Sequence, residues 1–198
     1  MSVEAVEPRE FAFTAENKAK AEAIVAKYPA GRQRSAVIPL LDLAQRQMGG
    51  WLPRAAVLHV ADMLGMAEIR VWEVATFYTM FNLEPLGRTC IEVCTTTPCW
   101  LRGSEEIVAA LEDEIGVEVG GTTSDGAFTL REVECLGACV HAPMFQIGDD
   151  YYEDLTPEAA REIVRDIKAG KTPKPGSRIG RPGAAPASGP KVLTGKKA

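Results

Sequence analysis

Four of the five cysteines in this chain of 198 residues occur as two short pairs that could bind one inorganic centre. Cys94 and Cys99 are spaced C-x4-C, and Cys135 and Cys139 are spaced C-x3-C. If the fold brings both pairs together, their thiolates could hold a zinc ion or a [2Fe-2S] cluster, or the cysteines could form two disulfides. The spacing favours the cluster, because ligands that span two irons need a larger cavity than one zinc ion does.

The residues beside these cysteines can supply the dipoles that such a centre needs. A [2Fe-2S] cluster with four thiolates is an anion whose charge grows on reduction, so hydrogen-bond donors to its sulfurs stabilise it. Thr95, Thr96 and Thr97 offer hydroxyls, and Gly137 and Ala138 let backbone N–H groups come close. Turn capping by the threonines and a tight corner at Gly137 are the alternative explanation.

Three segments of the chain carry a family resemblance. They read G-G-W-L-P over residues 49–53, E-V-A-T-F-Y-T-M-F over residues 73–81 and E-C-L-G-A-C over residues 134–139. Together with the cysteine spacing, they closely resemble the small [2Fe-2S] subunit of respiratory complex I (NADH:quinone oxidoreductase). The resemblance covers roughly residues 10–170, and the order of independent motifs makes it specific.

This resemblance implies a ligand set and a role. The implied ligands are Cys94 and Cys99 on one iron and Cys135 and Cys139 on the other, with Cys90 outside the set. The cluster would exchange one electron with FMN in an adjacent flavoprotein subunit, which binds both FMN and NADH. The large iron-sulfur subunit of the same module is a second expected partner. The alternative is the diaphorase module of an NAD-linked hydrogenase or formate dehydrogenase.

Two other function classes compete with electron transfer. One is a structural zinc module, and the other is a thiol-disulfide oxidoreductase, whose motif would be C-x-x-C near the first strand-helix junction. A Rossmann dinucleotide site would need a glycine-rich turn between a strand and a helix. Gly49-Gly50 instead follows a predicted helix, and Gly120-Gly121 opens a predicted turn. We therefore expect a partner, and not this chain, to bind NADH and flavin.

Composition bears on partners and location. The net charge of −5 and the pI near 5.2 argue against nucleic acid, which needs a basic face. No apolar run approaches membrane-spanning length, so direct membrane insertion is not expected. The acidic first ten residues predict neither a secretory signal nor a transit peptide. With the resemblance, the expected location is the bacterial cytoplasm, in the peripheral arm of a complex on the inner face of the plasma membrane.

The elements that precede the cysteines follow a helical period. Four helices are predicted, from Thr14 to about Tyr28, from Ser35 to Gly49, from Pro53 to Gly65 and from about Ala67 to Tyr78. We interpret residues 1–12 as a flexible N-terminus and residues 13–85 as a helical bundle. An assembly role is expected for the bundle, because it holds no cysteine and its aromatic run over residues 72–81 suits a buried interface. His59 is expected to be a packing residue.

Residues 86–170 must position the cysteines. The predicted elements are a strand over Thr89–Cys94, a helix capped by Ser104, a short strand over Val117–Val119, a strand over Phe128–Val133, a hairpin of residues 144–147 and 151–153, and a helix capped by Thr156. This βαβ unit followed by ββα is the thioredoxin-like order, with both cysteine pairs at one end of the sheet. The predicted fold class is therefore α+β, an N-terminal helical bundle followed by a thioredoxin-like α/β [2Fe-2S] ferredoxin domain.

The C-terminal segment has a different composition. Residues 171–198 are rich in Pro, Gly, Ala and Lys and contain almost no large apolar residues. Such a segment cannot bury enough apolar surface to offset its ordering entropy. We therefore predict a disordered or partner-bound tail.

Overall fold

The computed structural model describes residues 7–182, which divide into two compact units between Leu86 and Gly87. Within these described residues, the first unit contains the α-helices α1 (Ala15–Val25), α2 (Val37–Gln47), α3 (Arg54–Leu64) and α4 (Glu68–Phe77). A 3₁₀ helix, Gln33–Ala36, leads directly into α2, so α2 begins two residues after the predicted Ser35. The predicted helical N-terminal region is confirmed.

The core of the first unit lies where the apolar faces of its helices meet. Leu40 and Leu41 of α2 and Val57 and Val60 of α3 are completely buried there. Apolar residues on both helices recur three or four positions apart, which gives each helix one continuous apolar face. Gly65 ends α3 in a left-handed conformation (φ +58°), which a residue with a Cβ adopts only with strain.

The segment before α1 is packed against this core. The Phe11 ring meets the rings of Phe13 and His59 edge-on, with centroids 5.2 and 5.4 Å away. The Gln47 side-chain amide donates to the Ala12 carbonyl at 2.9 Å. These contacts differ from the predicted flexibility of residues 1–12 wherever the structure describes them, and residues 1–6 lie outside the described range. His59 is a packing residue, as predicted.

The second unit is a mixed five-stranded sheet with helices. Its strands are β1 (Thr89–Cys94), β2 (Phe128–Val133), β3 (Phe145–Ile147), β4 (Asp150–Glu153) and β5 (Gly176–Ser177), in the order β2-β1-β3-β4-β5. Strands β1 and β2 are parallel, β3 is antiparallel to β1 and β4, and β5 is parallel to β4. Its helices are α5 (Thr97–Leu101), α6 (Ser104–Ile115) and α7 (Pro157–Lys168), and α6 packs against α7. The predicted α+β fold class with a thioredoxin-like second half is confirmed.

Two local predictions in this unit are wrong. Residues 117–119 form no strand, and the Val119 N–H donates to the Glu112 side chain at 3.0 Å. Helix α6 begins at Ser104 with Gly103 as its cap residue. The Ser104 hydroxyl is therefore not a cap, and it is buried without a hydrogen-bond partner among the described residues. Helix α5, only five residues long, was not predicted from the pattern.

The segment after α7 also differs from its prediction. Residues 173–181, here called the C-terminal strap, run along the edge of the sheet beside β4. Gly176 pairs with Tyr152, and the Arg178 N–H donates to the Glu153 carbonyl at 3.0 Å. Backbone pairing at an open strand edge needs no large apolar side chains, so composition does not reveal it. Residues 171–182 are thus packed against the sheet, where the sequence predicted a disordered or partner-bound tail, and residues 183–198 lie outside the described range.

Candidate metal centre

The parallel pairing of β1 and β2 brings the two cysteine pairs to one edge of the sheet. Cys94 is the last residue of β1 and is in register with Val133, the last residue of β2. Cys135 follows β2 by two residues. The carboxyl ends of parallel strands meet at the same edge. The loop that holds Cys99 and the loop that holds Cys139 therefore start side by side.

The first pair is buried. Cys94 and Cys99 are 2% and 1% exposed, and both pack against Ala142 and Met144. Cys99 lies in α5, which turns the chain back immediately after β1. Burial, together with the neighbouring Cys94 sulfur, raises the pKa of the Cys99 thiol to about 12.

The pKa of the Cys94 thiol is lowered, in contrast to that of Cys99. Burial disfavours its thiolate, but hydrogen bonds from Thr96 and from the Leu136 backbone outweigh burial and lower the pKa of the thiol. The Thr96 hydroxyl lies 3.3 Å from the Cys94 Sγ. Since Leu136 belongs to the loop of the second pair, this contact also joins the two loops. Thr96 is the one of the three candidate threonines for which the structure gives a contact with a cysteine sulfur within the described chain.

The second pair is exposed. The sulfurs of Cys135 and Cys139 lie 3.4 Å apart, and the Gly137 N–H donates to the Cys135 Sγ at 3.4 Å. That N–H is the main cause of a lowered pKa at Cys135, while the adjacent Cys135 sulfur raises the pKa of Cys139. Gly137 adopts a left-handed conformation (φ +82°), which a residue without a Cβ reaches without strain and which turns the chain sharply at this point. The proposed tight corner and the proposed donor are thus the same residue.

The second pair of thiols has the separation expected of two ligands on one metal. Two thiolates that share one tetrahedral metal at a bond length of about 2.3 Å lie about 3.8 Å apart, and the Cys135–Cys139 sulfurs are close to that distance at 3.4 Å. No group of three or more Cys, His, Asp or Glu side chains within residues 7–182 is arranged to hold a single metal ion. Two thiol pairs on neighbouring loops are the donor set that a [2Fe-2S] cluster takes, two ligands to each iron.

Cys90 is separate from this group. It lies four residues before Cys94 on β1, which is about 13 Å along a strand. The charges that act on its thiol are those of Glu92 and Arg131, which form a partly buried ion pair. Burial raises the pKa of the Cys90 thiol to about 11, with Arg131 opposing the rise. Cys90 is therefore a mostly protonated strand residue.

Two residues that contact the site, although they are distant from the cysteines in sequence, were not identified by sequence analysis. The Tyr151 hydroxyl donates to the Leu136 carbonyl at 2.8 Å, between the second pair of cysteines. Met144 covers the first pair, and its carbonyl accepts from the Cys94 N–H at 3.3 Å. Both residues belong to the β3-β4 hairpin region, and only the antiparallel pairing of β3 with β1 brings them to the cysteines. No local signal in the sequence could have identified them.

Exposed apolar side chains flank the thiols. Trp100 and Leu101 follow Cys99 and are 54% and 70% exposed, and Val140 follows Cys139 and is 62% exposed. The Trp100 indole N–H donates to Glu105 at 3.1 Å, which fixes the ring outside the core. An exposed apolar surface of this kind is typical of a protein interface.

The described residues, 7–182, contain no helix with both the length and the apolar character needed to cross a bilayer.

Comparison with known proteins agrees with this geometry. The model of the thioredoxin-like [2Fe-2S] ferredoxin family matches residues 21–168. The E subunit of NADH-quinone oxidoreductase from Rickettsia bellii (strain RML369-C) is 56% identical over 158 residues, which are 80% of this chain and 95% of that protein. The mitochondrial NADH dehydrogenase [ubiquinone] flavoprotein 2 of Dictyostelium discoideum is 51% identical over 183 residues, which are 92% of this chain and 74% of that protein.

A solved structure shares the fold at low sequence identity. An NAD⁺-reducing [NiFe]-hydrogenase in its H₂-reduced state matches with a TM-score of 0.59 and 19% identity. The match covers 68% of this chain and 23% of the hydrogenase chain. At this identity, the likeness concerns the fold alone.

Proposed function

Because the chain belongs to the thioredoxin-like [2Fe-2S] ferredoxin family, and within it to the small subunits of NADH-quinone oxidoreductase, we propose that it is the electron-transfer subunit of such an enzyme. The proposed ligands of its single [2Fe-2S] cluster are Cys94 and Cys99 on one iron and Cys135 and Cys139 on the other. The observation that carries the proposal is the meeting of the two thiol pairs where the parallel strands β1 and β2 end.

The protein's own groups prepare the site for a negatively charged centre. When bound, the cluster supplies a one-electron redox couple. The Thr96 hydroxyl and the Gly137 N–H lie at hydrogen-bond distance from cysteine sulfurs, and such donors stabilise the additional negative charge of the reduced state. Burial of Cys94 and Cys99 keeps water from one side of the site, while the exposed Cys135 and Cys139 leave the other side open.

The proposed electron partner is a flavoprotein subunit that binds FMN and NADH. NADH delivers two electrons together as a hydride, which a one-electron centre cannot accept alone, so a flavin must stand between them. Trp100, Leu101 and Val140 offer an exposed apolar surface beside the thiols where such a partner could dock. We place the large iron-sulfur subunit of the same module as a second partner, and the complex on the cytoplasmic face of the bacterial plasma membrane.

The helical unit is proposed to serve assembly. Its described part contains no cysteine, and Phe77, Tyr78 and Met80 at the end of α4 are 76%, 41% and 50% exposed. Side chains of these types are enriched at protein interfaces relative to the rest of the surface. Because these three residues lie close together and are exposed, they support a surface that contacts a partner and not a place in the core of the unit.

Serine replacements of two cysteines test the ligand set. In the native complex or the purified holo-chain, Cys90→Ser should leave the visible spectrum and the EPR signal of the reduced state unchanged, whereas Cys135→Ser should abolish or distort both. The two variants carry the same chemical change, so a difference between them reports ligation. Loss of the cluster in Cys90→Ser, or an intact cluster in Cys135→Ser, would contradict the proposed ligand set. A colourless native protein with bound zinc would instead support the structural-module alternative.

A further inference from the structure

Asp154 has an unusual backbone and a buried charge. Within residues 7–182 it is the one residue other than glycine with a positive φ, at +53°. Its carboxylate side chain is 6% exposed. A left-handed conformation is unfavourable for a residue with a Cβ, and a buried carboxylate needs partners. The surroundings of Asp154 must therefore hold it in place.

The partners of this carboxylate come from the C-terminal strap. The Ser177 hydroxyl donates to its Oδ2 at 2.6 Å, and the Arg181 guanidinium donates to both carboxylate oxygens, with Nε 3.2 Å from Oδ2. The guanidinium and the carboxylate thus form a two-point contact, the strongest geometry for this pair. This contact raises the pKa of Arg181 and, against burial, lowers the pKa of Asp154.

The same two residues hold the chain immediately after Cys139. The Arg181 Nη2 donates to the Val140 carbonyl at 2.6 Å, and the Asp154 N–H donates to the His141 carbonyl at 2.8 Å. The buried His141 ring adds a third contact through its Nδ1, which lies 3.0 Å from Glu153. Two consecutive carbonyls after a proposed ligand are therefore held by groups that lie outside the ligand loop.

The loop that holds Cys135 and Cys139 depends on hydrogen bonds from other parts of the chain to fix its position. Cys135 and Cys139 are exposed, in contrast to the buried first pair, so apolar packing restrains them less. Hydrogen bonds from the C-terminal strap and from Tyr151 hold the backbone of this loop instead. Partners that orient a ligand from outside typically change metal affinity about 10–100-fold when they are removed.

We propose that Arg181, held by Asp154 and Ser177, is a positioning residue for the cluster that fixes the backbone next to Cys139. The inference rests on the proposed function in that Cys139 must be a ligand. It extends the site to a segment beyond residues 21–168, the range that matches the family. Sequence composition alone assigned this segment to a tail.

The test compares two arginines of the same strap in the full-length chain with its cluster. Arg181→Gln removes the contacts with Val140 and Asp154, whereas Arg178→Gln removes only a contact of 3.2 Å with Glu162 on α7. We expect Arg181→Gln to lose iron to a chelator about tenfold faster than the wild type and to change the EPR signal of the reduced cluster. Arg178→Gln should match the wild type in both measurements. Identical chelation rates and EPR signals in the two variants would overturn the proposal.

A double variant separates position from charge. Arg181→Gln with Asp154→Asn preserves the net charge but leaves the carbonyl of Val140 without its guanidinium donor. If positioning is the role of Arg181, the double variant stays altered, and a return to the wild-type EPR signal and chelation rate would show a charge effect and refute the inference.

Hydrogen exchange in the metal-free chain separates this inference from the ligand assignment. The Asp154 and Ala142 amides should exchange faster in Arg181→Gln than in Arg178→Gln, because both report on the backbone that the strap holds. Equal exchange in the two variants would refute the role of Arg181 whatever the ligands are. By contrast, a normal cluster in Cys139→Ser would refute the ligand assignment and leave the exchange result standing.

Discussion

Replacing Gly137 by alanine tests whether its N–H tunes the proposed cluster. Among the described residues, no atom beyond its chain neighbours lies within 4 Å of the position that a Cβ would take. The added methyl group therefore has room, and the cost of the substitution comes from the backbone conformation. The left-handed conformation at φ +82° costs alanine about 1–2 kcal/mol. Lower entropy of the unfolded chain offsets about 0.4–1 kcal/mol of that cost. We expect a net loss of about 1 kcal/mol in the free energy of unfolding.

Gly170 provides a matched control. It follows α7 at φ +75°, again with no atom within 4 Å of a Cβ, and its N–H donates to the Ile167 carbonyl at 2.9 Å. Gly170→Ala should therefore cost a similar free energy of unfolding. Only Gly137→Ala strains a peptide whose N–H contacts a cysteine sulfur. Because such donors raise the reduction potential, we expect the potential to fall by on the order of tens of millivolts in Gly137→Ala alone.

Two measurements decide the outcome. Peptide-resolved hydrogen exchange of the metal-free chain at increasing urea concentrations gives the stability of the second unit without assuming that both units unfold together. A dithionite titration followed by EPR gives the potential of the holo-chain. If both glycine variants fold and their potentials equal that of the wild type, the N–H of Gly137 does not tune the cluster. Gly137 would then be a tight corner only.

Three further predictions concern the partner, the first unit and one ion pair. The purified holo-chain, free of flavin, should be reduced by dithionite but stay oxidised under anaerobic NADH until the flavoprotein is added, because no group of its own is expected to accept a hydride. Rapid bleaching by NADH without flavin would contradict this. A chain that starts near Leu86 should still take up iron and sulfide but bind the flavoprotein poorly in a pull-down assay, and normal affinity would count against an assembly role for residues 1–85. At Glu114, the hydrogen bond from Arg165 lowers the pKa of the carboxyl, so the contact stabilises the fold above the unfolded pKa of about 4.3 and is lost as the pH falls through the folded pKa. Since Arg165 is 65% exposed, Glu114→Gln should cost less than about 1 kcal/mol in urea unfolding at neutral pH and nothing in strong acid, and an equal cost at both pH values would refute the assignment.

Short-range patterns predicted the elements that carry the cysteines. The alternation over Thr89–Cys94 predicted β1, and the glycine-rich turn before Phe128 predicted β2 over Phe128–Val133, both with the observed ends. Thr156 caps α7 through the Ala159 N–H, as the Thr-Pro-Glu sequence indicates. Such features depend on contacts within about four residues, so the sequence contains them directly. The prediction of a short strand over Val117–Val119 was wrong, and there the Val119 N–H donates to the Glu112 side chain on α6.

The family resemblance in the sequence was enough to predict the fold class and the cysteine pairs. Residue types and spacing thus specify the kind of centre that the chain is suited to bind and the strands and loops that present its thiols. The register that sets Cys94 opposite Val133 depends instead on the pairing of strands whose residues lie 39 positions apart, as Thr89 does from Phe128. Tertiary contacts also select which distant groups hold the loops, as Tyr151 holds Leu136 and Arg181 holds Val140. The physical reason is that a hydrogen bond forms only where donor and acceptor come within about 3 Å, and chain segments so far apart in sequence reach that distance only after the sheet has assembled.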